Sequence, residues 1–124
     1  MATGHPDQYL LMTFSEFGRR MNEDGRGGTD HGTAAPMLLV GAGVAGGLHG
    51  AQPSLSSLDT DGNMVPAVDL REVYATVLEG WLAGPPAREV LGYGARDGIT
   101  PVRFLRSAPS PAGTAHPALA YWRC

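Results

Sequence analysis

QYLLMTFSEFGRRMNEDGRGGTDHGTAAPMLLV, residues 8–40, contains two apolar runs on either side of a long polar stretch, and its reading decides the fold. Gln8-Tyr9-Leu10-Leu11-Met12-Thr13-Phe14 is nearly continuous in apolar character, and Pro36-Met37-Leu38-Leu39-Val40 is fully so. Such runs suit strands covered on both faces, as in a parallel sheet, and proline is tolerated at a strand's first position. Between them, Ser15 to Ala35 is polar, glycine-rich and without helical periodicity. It reads as one long loop, and loops of that length are usually functional or disordered.

Beyond the second run, Gly41 to Gly50 is too rich in glycine for regular structure, and Ser54 to Asn63 carries turn signals at Asp59 and Asp61-Gly62. The clearest element is a helix from about Leu70 to Leu82. Asp69 can cap it, with Glu72 completing a capping-box pattern. Leu70, Val73, Tyr74, Val77, Leu78, Trp81 and Leu82 recur at helical spacing and form one apolar stripe. Gly84-Pro85-Pro86 ends the helix; a short helical turn follows around Ala87 to Leu91. Pro101 to Leu105 reads as an edge strand or an extended segment. From Ser107 onward Ala, Pro, Ser and Thr dominate, which predicts a disordered tail over 107–124.

Composition narrows the function classes. Eighteen Gly and 10 Pro in 124 residues leave little room for long regular elements. The net charge is −3, and all nine basic residues are Arg, scattered along the chain, so the footprint of a nucleic-acid binder is missing. No apolar run approaches the ~20 residues that span a bilayer. No signal peptide opens the chain, and the compartment stays unassigned. The one cysteine, Cys124, rules out an intrachain disulfide and a cysteine cage. Two strands and one helix do not close a domain. Residues 1–106 are therefore expected to complete their core with a missing N-terminal part of the domain or with another copy in a homo-oligomer.

Gly41-Ala42-Gly43-Val44-Ala45-Gly46 matches a dinucleotide fingerprint after a strand, but that site needs a helix N-terminus facing the pyrophosphate. Gly47, Gly50 and Pro53 leave no room for that helix, so nucleotide binding there is rejected. The stronger constellation joins Glu16 and Arg19, at the end of the first run, to Asp30 and His31, just before the second. Carboxylate and imidazole together suit a divalent metal such as Zn²⁺ or Mn²⁺. The plainer reading pairs Glu16 with Arg19 or Arg20 and leaves Asp30 and His31 in local loop hydrogen bonds.

The blocks FSEFGRRMNEDGRGGTDHGTAAPMLLVGAGVAGGLHG and DLREVYATVLEGWL resemble the end of a bacterial family known as domain of unknown function 1501, over about Asp7 to Leu105. That family is placed with the alkaline phosphatase-like superfamily, which includes sulfatases. The resemblance implies an α/β fold in which this chain is an incomplete part of a three-layer sandwich, with few strands, one clear helix and long loops. It further implies a parent that hydrolyses a phosphate or sulfate ester with a bound divalent cation. Glu16, Asp30 and His31 would hold the metal and Arg19 would face the anionic group. Phe17 stands where the superfamily has a metal-binding His, a departure that weakens the usual two-metal arrangement. The isolated chain, lacking a nucleophile motif, is expected to be inactive. The rival expectation is a non-catalytic interaction or structural remnant.

Overall fold

The structure, a computed structural model, describes residues 8–106 and the backbone of 116–123. Its centre is strand β4, Ala34–Gly41, the second apolar run of the sequence. Along β4 the side chains of Ala35, Met37 and Leu39 are buried while Pro36 and Leu38 are exposed. That alternation marks a sheet covered on one face, which is typical of antiparallel pairing.

The pairing is indeed antiparallel, which corrects the expected parallel sheet. Strand β1, Leu11–Met12, runs antiparallel to β4 with Leu11 opposite Val40. Strand β2, Gly18–Glu23, meets β4 antiparallel at Arg19 opposite Ala34, and pairs with β3, Thr29–Gly32, in a hairpin. The backbone of β7, His116–Arg123, lies antiparallel along the whole of β4. Two short strands, β5 at Gly47–His49 and β6 at Val68–Asp69, add to β7 in parallel. The result is a curled antiparallel sheet, β3-β2-β4-β7, with parallel additions and helix on one face.

The stretch expected to be a long loop is therefore largely a hairpin. Its turn needs only the residues between Glu23 and Thr29, and Gly25 and Gly27 supply the positive φ values, 77° and 79°, that the tight return requires. A connection this short can join only antiparallel neighbours, because a parallel pair needs a crossover of a dozen or more residues. The tail reading falls partly outside the described residues, at 107–115 and 124; at 116–123 the backbone is β7.

Helix α1, Leu70–Thr76, begins as the sequence predicts. Asp69 accepts from the Arg71 amide at 2.8 Å, and Glu72 reaches back to the Asp69 amide at 3.0 Å. The helix then widens into a π-helical turn, Val77–Trp81, where the Leu82 amide donates to the Val77 carbonyl at 2.9 Å. Helix α2, Ala87–Leu91, matches the short turn expected there and ends on Gly92 in the left-handed conformation. Val73 from α1 joins Met37, Leu39, Val44, Val68 and Phe104 in the core. No helix among the described residues is long and apolar enough to cross a membrane.

Gly41–Gly46 makes a turn, with the Val44 amide donating to the Gly41 carbonyl at 3.1 Å, and leads into β5 rather than a helix. A Cβ at Gly43 would come within 2.5 Å of the Trp81 ring, so this glycine is explained by packing against the helical layer.

Candidate functional site

The hairpin carries most of the residues singled out from sequence. Arg19 on β2 stands directly opposite His31 on β3, which brings their side chains to the same face. Phe17, two residues before Arg19, stacks on His31 with ring centroids 3.7 Å apart and planes 15° from parallel. The Arg19 guanidinium carbon lies 5.3 Å from the Phe17 ring centroid, and its Nη1 donates to the Thr29 carbonyl at 2.7 Å. The ring and the carbonyl together hold Arg19 in place; a cation over an aromatic face at an exposed site contributes about 0.5–1 kcal/mol.

An open, polar cavity of about 550 Å³ lies over the hairpin, bordered by Arg19, Arg20, Arg26, Asp24, Asp30 and His31. Three arginines and two acidic residues thus border it, a formal excess of one positive charge. Asp24 is already engaged: its Oδ1 accepts from the amides of Arg26 at 2.8 Å and Gly28 at 3.1 Å. Arg20 is anchored by donation from Nε to Asn63 Oδ1 at 2.9 Å, which ties the hairpin to the Asp59–Asn63 turn. The hydroxyl of Thr33 adds a second tie, donating to the Met64 carbonyl at 2.9 Å.

The Arg26 amide, with help from the Gly28 amide, holds the Asp24 carboxyl below its ordinary value of 3.8. Because its folded value is depressed, the contribution of Asp24 to the turn is complete above the unfolded value. It is lost as pH falls through the lower folded value. A titration followed by NMR should show the Arg26 and Gly28 amides shifting together with a midpoint below 3.8. A midpoint at or above that value would contradict the hydrogen-bonded turn.

Of the residues named from sequence, Arg19, Asp30 and His31 border one cavity, whereas Glu16 is exposed in the bend ahead of β2 and borders neither cavity that Arg19 lines. No group of three or more His, Cys, Asp or Glu among the described residues is gathered so as to hold a metal. Arg20, Arg26 and Asp24 were not singled out as functional, nor was the Phe17–His31 stack. Their signal lay in the glycines at 25 and 27, which permit a tight turn and so put both strands on one surface.

A second, more apolar cleft of about 480 Å³ is lined by Phe17 and Arg19, by Ala34 to Pro36, and by Pro53, Leu55 and Met64. Arg19 lines both spaces.

No curated protein and no solved structure matches the chain. A family model described as "Protein of unknown function (DUF1501)" matches residues 1–97, and the chain belongs to that family.

Proposed function

We propose that the hairpin is an anion-recognition element of a phosphate or sulfate ester hydrolase. The observation that supports it is the meeting of Arg19, Arg20 and Arg26 around one open cavity beside His31 and Asp30. A guanidinium presents a rigid fork of donors that matches the oxygens of a phosphate or sulfate group. Arg19 spends one nitrogen on the Thr29 carbonyl and is thereby oriented before any ligand arrives. The resemblance to the alkaline phosphatase-like superfamily points to the same chemistry, and this proposal sets the chain within such a three-layer fold.

A divalent cation such as Zn²⁺ or Mn²⁺ enters the proposal only with ligands beyond the described residues. Glu16, Asp30 and His31 do not form a metal-holding group by themselves. The hairpin's own residues bind and orient the anion, and this chain alone binds without turnover.

Inorganic phosphate should bind the chain with a Kd of about 1 mM, near −4 kcal/mol. The affinity should fall with added NaCl, because exposed charges are screened. Arg19→Ala should weaken it about tenfold, as expected for a lost hydrogen bond to a charged group. Calorimetry together with NMR shifts of the hairpin amides measures both. Absence of any saturable response to phosphate or sulfate would sink the reading.

The rival reading, a surface that pairs with another copy, is favoured by Tyr9, Leu11 and Phe14, which are 67%, 57% and 73% exposed beside β1. Light scattering separates the two: a stable monomer removes the rival.

A further inference from the structure

The cleft lined by Phe17 and the cavity lined by His31 share one residue. Phe17 lines the apolar cleft, His31 lines the cationic cavity, and Arg19 borders both. The two rings stack 3.7 Å apart, and the Arg19 guanidinium carbon lies over Phe17, 5.3 Å from its centroid. The cleft's walls are largely apolar: Phe17 just ahead of β2 and Pro36 on β4, with Pro53, Leu55 and Met64 from the segment after β5. Ser15 and Gln52 add hydroxyl and amide groups. No carboxylate lines this cleft, in contrast to the polar cavity, which Asp24 and Asp30 border.

The geometry points to a specific ligand class: an anionic ester whose organic group is aromatic or similarly flat and apolar. Its phosphate or sulfate oxygens would meet Arg19 and the cationic cavity. Its organic group would lie in the cleft between Phe17, Pro53 and Leu55. The charge of Arg19 at the shared border selects an anion over a neutral aromatic compound. The apolar walls select an organic ester over the inorganic ion, because ring burial adds a hydrophobic contribution that the bare ion lacks. The cleft is concave and mostly apolar with few polar groups, as small-molecule sites usually are. The inference rests on the anion-recognition reading above and specifies the substrate class of that site.

Binding of phenyl phosphate, inorganic phosphate and benzyl alcohol to the whole chain tests this, with the wild type compared to Leu55→Asn. Leu55 is more than half exposed, so this neutral change leaves the fold intact. Phenyl phosphate should bind about tenfold more tightly than inorganic phosphate. Benzyl alcohol should bind more weakly than either, and Leu55→Asn should cut the aromatic advantage by at least about half while leaving inorganic phosphate unchanged. If inorganic phosphate binds but phenyl phosphate binds no better, or if the advantage survives Leu55→Asn in full, the aromatic-ester inference is overturned and the anion site stands. If neither anion binds, the underlying reading falls and takes this one with it.

Discussion

Phe104→Ala should destabilise the chain by about 3–5 kcal/mol, the range for deleting a buried aromatic ring. Phe104 is 0% exposed and is the largest fully buried side chain among the described residues. Its ring meets His49 edge-on, with centroids 6.2 Å apart, and packs in the cluster that holds Met37, Leu39, Val44 and Val73. Its backbone is held as firmly. The Ala45 amide donates to the Phe104 carbonyl at 2.7 Å, and the Arg106 amide donates to the Gly43 carbonyl at 2.9 Å. Arg106 Nε adds a bond to the Val44 carbonyl at 2.9 Å. The neighbourhood thus cannot collapse into the cavity by letting the segment slide. A domain's whole stability is about 5–15 kcal/mol, so the variant should be close to unfolded at moderate temperature. Urea denaturation of the variant against Arg103→Ala, a change at an exposed neighbour, measures this. A loss under about 1 kcal/mol would show that the segment is not part of the core.

The contrast between Phe104 and α1 shows what the sequence can and cannot display. Helix α1 was legible because its start is written locally: Asp69 and Glu72 are three residues apart, and the apolar stripe repeats within one short window. Strand β4 was legible for a similar reason, as five consecutive apolar residues have few alternatives. Phe104 lies between Arg103 and Leu105 with no periodicity around it. Its burial is decided by Gly43–Ala45, some sixty positions upstream, and no local pattern encodes such a contact.

The hairpin failed to show itself for a different reason. Of the ten residues in β2 and β3, only Gly18 is buried, so the period-two alternation on which strand recognition relies is absent. Polar strands of this kind resemble loops in composition. The parallel pairing was read from the two apolar runs, which suit strands buried on both faces, whereas β4 alternates buried and exposed side chains. Within the site, the nearness of Arg19 to His31 depends on register, which the turn glycines determine. Glu16 was grouped with them as the acid at the end of the first apolar run, and strand β2 begins only two residues after it.

Gly18→Ala should be costly out of proportion to its size, about 3 kcal/mol or more, exceeding the usual range for one added methyl group in a packed interior. A Cβ at Gly18 would collide with the backbone nitrogen, carbonyl carbon and oxygen of Ala34. Its register partner, Gly32, is crowded in the same way, lying 2.7 Å from the Arg19 carbonyl carbon once a Cβ is added. Strands β2, β3 and β4 therefore close over one another through two facing glycines, and the nearest atoms at both are backbone, which cannot swing aside. Forcing them apart moves β2 from β4, and Arg19 moves with it, so phosphate affinity should fall along with stability. Gly25→Ala offers the comparison. Its φ of 77° disfavours a side chain, yet a Cβ there meets nothing within 4 Å, so only the left-handed backbone cost of about 1–2 kcal/mol applies. Denaturation midpoints and phosphate titrations on the two variants separate collision from conformation. If Gly18→Ala unfolds no more readily than Gly25→Ala and retains its phosphate affinity, the close crossing of β2 and β4 is wrong, and with it the placement of Arg19 beside His31.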